Sequence, residues 1–177
     1  MASPMQILPY SPDLLDSVLA DIEGQAVKSA VRKIMESFHA NSFPVKIQLI
    51  APDKERAYYR ILCYIKKGKE TVSINSNKNH GRDGVDMKIR IENHNTFDKL
   101  DEFSDNIRNQ IVHGYDCHYC SAKCAGKRYI FSYHGKEYVK CQYLGCNFRF
   151  PKIMDECDVD SIMSIIDGEQ EFKRVRK

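Results

Sequence analysis

The chain has 177 residues, 42% hydrophobic, 29% charged and 10% aromatic, with a formal net charge of +3. This composition is globular and excludes long disorder, collagen and coiled-coil rods. A chain of this length hides about 70% of its unfolded surface, so it can build a core without staples, as one domain or one domain with an appendage.

The first residues lack the basic and apolar regions of a signal peptide. No stretch approaches the ~20 apolar residues of a membrane span. A soluble, cytoplasmic protein with no membrane partner is expected.

In chain order, Ser11-Pro12-Asp13 predicts a helix start: a capping hydroxyl, a proline in the first turn and an early acid. Leu14, Leu15, Val18, Leu19 and Ile22 follow at helical spacing, and Gly24 marks a break. Val27, Ala30, Val31, Ile34, Met35 and Phe38 form a second helical face, ended by Asn41 and Pro44. Extended segments come next. Val45, Ile47 and Leu49 alternate with polar residues, and Tyr58–Ile65 and Glu70–Ile74 flank a Lys-Gly turn as a hairpin. A polar loop, 76–84, matches no phosphate or calcium loop and leads into the period-two strand of Val85, Met87, Ile89 and Ile91.

Asn95-Thr96 predicts the cap of one helix with the stripe Phe97, Leu100, Phe103, Ile107 and Ile111. Its acids Asp98, Asp101, Glu102 and Asp105 read as a solvated face rather than an acid–base pair. After Pro151, acids from Asp155 to Asp160 predict the dipole-favoured first turn of a last helix. Gly168 is expected to stop that helix before a charged tail. The fold class is therefore α+β: a mostly antiparallel sheet with helices packed on one face, plus a Cys-rich β-hairpin before a C-terminal helix. Three regions are expected: an α+β body at 1–112, a Cys-rich hairpin module at 113–150, and a C-terminal helix and tail at 151–177 packing on the body.

Five of the seven cysteines lie within thirty residues: Cys117, Cys120, Cys124, Cys141 and Cys146. In a reducing compartment clustered thiols point to a metal rather than to disulfides, and an odd total agrees. Cys63 and Cys157 read as ordinary buried cysteines. Zinc takes four ligands in a tetrahedron. Cys117-x2-Cys120 lets two sulfurs converge, and the intervening segment, bent at His134-Gly135, reads as a hairpin that carries Cys141 back to them.

Over Cys117–Cys146, about a sixth of the chain, the pattern resembles a zinc ribbon. The resemblance implies Cys117, Cys120, Cys141 and Cys146 as ligands. It departs from the usual spacing, because the second pair is separated by four residues and Cys124 is extra. Cys124, His113 and His118 are alternative ligands. The surplus of thiolates favours a closed, structural Zn2+ site, and four thiolates would serve an iron–sulfur cluster equally well.

The resulting expectation is a small metal-binding module with an unidentified protein or small-molecule partner and no catalysis. One alternative is a thiol- or metal-dependent enzyme using Cys117, Cys120 and His118. Another is nucleic-acid binding by the hairpin, because residues 113–152 hold seven basic residues against two acidic ones, interleaved with aromatics. Against the latter, Tyr129, Phe131 and Tyr133 share one strand face, which is expected to pack on the body.

Overall fold

The computed structural model describes residues 5–50, 57–76, 85–114, 128–141 and 148–175, Cys141 by its backbone only. Six strands form one antiparallel sheet: β1 (Met5–Leu8), β2 (Val45–Ile50), β3 (Tyr58–Cys63), β4 (Val72–Asn75), β5 (Asp86–Ile89) and β8 (Phe148–Phe150), in that order across the sheet. Strands β6 (Arg128–Tyr133) and β7 (Lys136–Cys141) form a separate hairpin. The helices are α1 (Pro12–Ala20), α2 (Gln25–Ala40), α3 (Asp105–Val112) and α4 (Glu156–Val175), with a 3-10 segment at His94–Glu102.

Alternation along each strand decides which face is buried. Ile47, Ile61, Ile74, Met87 and Phe150 are consecutive cross-strand partners, and each is fully buried. Cys63, Val72, Ile89 and Phe148 form the adjacent row. Both rows enter one core with the apolar faces of α2 and α4, including Ile34, Phe38, Ile162 and Ile166. Burying an isoleucine contributes about 1.5–3 kcal/mol, so these two rows hold the sheet to its helices.

Local signals explain several boundaries. Ser11 caps α1 by accepting from the Leu14 amide at 3.1 Å. The expected single helix over Phe97–Ile111 is instead two pieces. Ser104 breaks it: its hydroxyl accepts from the Ile107 amide at 3.2 Å and donates to Asp158 at 2.5 Å, starting α3 anew. The apolar stripe survives because Phe97, Leu100, Phe103, Ile107 and Ile111 are all still buried.

Gly168 does not stop the last helix, which continues to Val175. The extra turns are held by packing and hydrogen bonds. Buried Glu169 accepts from the amides of Glu92 at 2.9 Å and Asn93 at 2.7 Å. Gln170 accepts from Asn41 at 2.6 Å and donates to Ser37 at 3.1 Å. These contacts outweigh the ~1 kcal/mol that glycine costs inside a helix. Strand β8, from the end of the Cys-rich window, pairs with β5 and so belongs to the main sheet. No described helix is long and apolar enough to cross a membrane.

Candidate metal corner

The β6–β7 hairpin turns through two residues, His134 and Gly135, with φ of 48° and 74°. Positive φ at both central positions matches the right-handed strand twist, and glycine meets that demand at no steric cost. The tip is tied to the body, because the Tyr133 hydroxyl donates to Asp101 at 2.6 Å. That bond, followed by the nearby His134 charge, holds the Asp101 carboxyl below its ordinary range. Asp101 is thus a hairpin tether, and Asp98, Glu102 and Asp105 are exposed, as a solvated face requires.

A two-residue turn fixes every pairing below it, and Arg128 lies opposite Cys141 at the open end. The inner face of β6 carries Tyr129 and Phe131, both buried. Phe131 stacks on Phe97 with centroids 4.3 Å apart, and Tyr129 meets Phe148 at 5.0 Å. The expected packing of this face is borne out for both rings. These two rings are part of the core, whereas Tyr133 and Tyr138 are half-buried.

Lys140 belongs to the same inner face, opposite Tyr129, and is only 2% exposed. Its ammonium donates to the carbonyls of Val112 at 2.5 Å and Gly114 at 3.1 Å. A cation among the terminal carbonyls of α3 is favoured by the helix dipole and supplies donors those carbonyls lack. Gly114 is required for a second reason. A Cβ there would lie 2.4 Å from the Gln110 carbonyl oxygen.

Four chain ends therefore meet at one corner. Gly114 opens the stretch 115–127 and Arg128 closes it; Cys141 opens 142–147 and Phe148 closes it. Lys140 links the first end to β7, the hairpin register links the second to the third, and Tyr129 packs the fourth against the second. Cys117, Cys120, Cys124, Cys146 and His118 lie outside the described residues, as does the Cys141 side chain. Among the described residues no group of three or more His, Cys, Asp or Glu could hold a metal ion. His113 caps the end of α3 and lines a shallow cleft of about 310 Å³ with Gln110, Arg149 and Pro151.

The two remaining cysteines differ. Cys63 is buried in the core row, and burial pushes its thiol well above the ordinary value, which disfavours the thiolate there. Cys157 is exposed on α4, contrary to the expectation of burial, because the buried stripe there runs through Asp158, Val159 and Ile162 instead.

Sequence reasoning missed the role of Lys140, which looked like one more hairpin cation. The signal was available. A two-residue turn at His134-Gly135 pairs position 129 with 140, placing Lys140 on the face of the buried aromatics. Comparison with protein-family models, curated proteins and solved structures finds no match.

Proposed function

We propose that this is a cytoplasmic binding module whose Cys-rich segment is shaped by a structural zinc ion. Cys117, Cys120, Cys141 and Cys146 are the proposed ligands, with Cys124 as the alternative. One observation carries the reading: both cysteine-bearing stretches begin and end at the corner held by Lys140. Such anchoring removes much of the loop-closure entropy that a metal would otherwise have to offset. The donor set suits zinc, which forms Zn–S bonds of about 2.3 Å with thiolates in closed tetrahedral sites.

Elemental analysis of reduced, purified protein tests this. About one equivalent of zinc is expected, and less than about half an equivalent of any transition metal counts against it. Thiol titration separates the structural site from a thiol enzyme. Clustered sulfurs silent until a chelator strips the metal support a structural ion. An accessible, low-pKa thiol in the metal-loaded protein supports the enzyme instead.

A further inference from the structure

The sheet has a second face, on which Lys46 is exposed, Leu62 is buried and the remaining polar positions are half-buried. Its positions are the alternates of the core rows: Lys46, Leu62, Ser73, Lys88 and Arg149 in one register line, Ile7, Gln48, Arg60, Asn75 and Asp86 in the next. Lys46, Arg60, Lys88 and Arg149 are basic, and Asp86 is the single acid at these ten positions. Lys88 and Arg149 already lie 3.5 Å and 3.9 Å from that acid. Arg60 is held by neutral partners, donating to Asn75 at 3.0 Å and to the Tyr58 hydroxyl at 3.3 Å. Lys46 sits 5.4 Å from the centre of the Tyr64 ring. Tyr58 and Tyr64 follow the same alternation as Arg60, so two half-buried rings flank the cations.

We infer that this basic sheet face binds single-stranded nucleic acid. Cations spaced across a pleated surface suit successive phosphates, and rings beside them suit stacked bases, a combination that needs no base-specific contact. The line from Lys46 to Arg149 crosses four strand steps of about 4.8 Å, room for about five stacked nucleotides at ~3.4 Å each. Charge argues against a second copy as occupant, because two such faces would repel. The amides of Gln48 and Asn75 offer donors and acceptors to base edges. The inference stands apart from the metal corner, since none of these side chains is a proposed zinc ligand.

Fluorescence anisotropy with the full, metal-loaded chain tests it, using labelled oligouridylate and oligothymidylate of about 20 nucleotides, a duplex of equal length, and phosphatidylserine–phosphatidylcholine vesicles. Expected is saturable binding of either single strand at about 50 mM salt, weaker for the duplex and weakening steeply with salt. The triple variant K46Q/R60Q/K88Q should bind at least about tenfold more weakly, with its salt slope shallower by about two, given ~0.7 per lost single-strand phosphate contact. Lys136→Gln on the hairpin should change neither.

Ultraviolet cross-linking of the unaltered chain reads the same surface should the triple variant not fold. Adducts on peptides holding Tyr58 and Tyr64 are expected. Absence of binding at low salt, equal affinity for duplex, binding to vesicles alone, an unaltered affinity in a folded triple variant, or adducts confined to the hairpin each overturns the inference.

Discussion

Lys140 and Val112 are joined across 28 residues of chain: the buried ammonium donates to the Val112 carbonyl at 2.5 Å, at the point where the chain leaves α3. The same ammonium reaches the Gly114 carbonyl and lies 5.4 Å from the Tyr138 ring centre. Replacing it by the similarly long, uncharged Met would bury both carbonyls without that donor. Stability should fall by about 2–3 kcal/mol in urea unfolding, because unsatisfied buried acceptors cost more than a hydrogen bond contributes. A loss below about 0.5 kcal/mol would mean that water serves the carbonyls equally well.

Asp158 performs a comparable task at the other end of α3. It is 1% exposed and accepts from Ser104 at 2.5 Å, Asn106 at 2.6 Å and the Met154 amide at 2.7 Å. Asp158→Ala should cost about 3 kcal/mol, since it orphans the Ser104 hydroxyl and the Met154 amide, leaves Asn106 only the Lys152 carbonyl, and frees the cap of α3 from α4. The exposed neighbour change Asp160→Ala should cost less than about 1 kcal/mol, its ion pair with Lys33 being exposed. Parallel thermal melts of the two variants check the contrast.

Glu92 governs an acid transition. Burial raises its pKa, but the Lys173 and Lys69 ammoniums overcome this and lower it from 4.5 to about 2. A carboxyl with a depressed folded pKa stabilises above its unfolded value and loses that contribution as pH falls. The affected window is therefore between about pH 4.5 and pH 2. Allowing for the exposure of Lys69, about 1–2 kcal/mol should disappear there in the wild type, and Glu92→Gln should flatten that limb. Unfolding free energy measured against pH for both chains checks the difference.

Glu169, its neighbour, has the opposite sign. Burial pushes its carboxyl above the ordinary value in spite of the Asn93 and Glu92 amides. A raised folded pKa favours the protonated form, so its contribution falls as pH rises through that pKa. Both amides bond to one oxygen, Oε1, and a glutamine can present the same acceptor. Glu169→Gln should therefore be neutral or stabilising at pH 7 by up to about 1 kcal/mol, whereas Glu169→Ala should destabilise by removing the acceptor. Urea midpoints of both variants at neutral pH check the ordering.

Where period and packing agree, the fold was legible in the sequence. The α2 stripe from Val27 to Phe38 and the alternation of Met87 and Ile89 each had one solution that buried the apolar set. Elements defined by long-range contacts were not. Met5–Leu8 is a strand because it pairs with β2, and Met5 and Ile7 are exposed, leaving no buried alternation to read. Phe148–Phe150 is three residues long and is recruited by Met87–Ile89. Gly168 looked like a stop because local propensity cannot register what Glu169 and Gln170 reach across the fold. At the candidate corner the spacing named the thiols and the hairpin, while the clamp by Lys140 required the register.

The shell of atoms around the proposed zinc ion tests the central claim most directly. X-ray absorption at the zinc edge of reduced, as-purified protein should give four sulfur scatterers at about 2.3 Å, and the Cys117→Ser/Cys120→Ser pair should lose that shell. A first shell dominated by nitrogen or oxygen, or a sulfur shell that persists in the double variant, would contradict it.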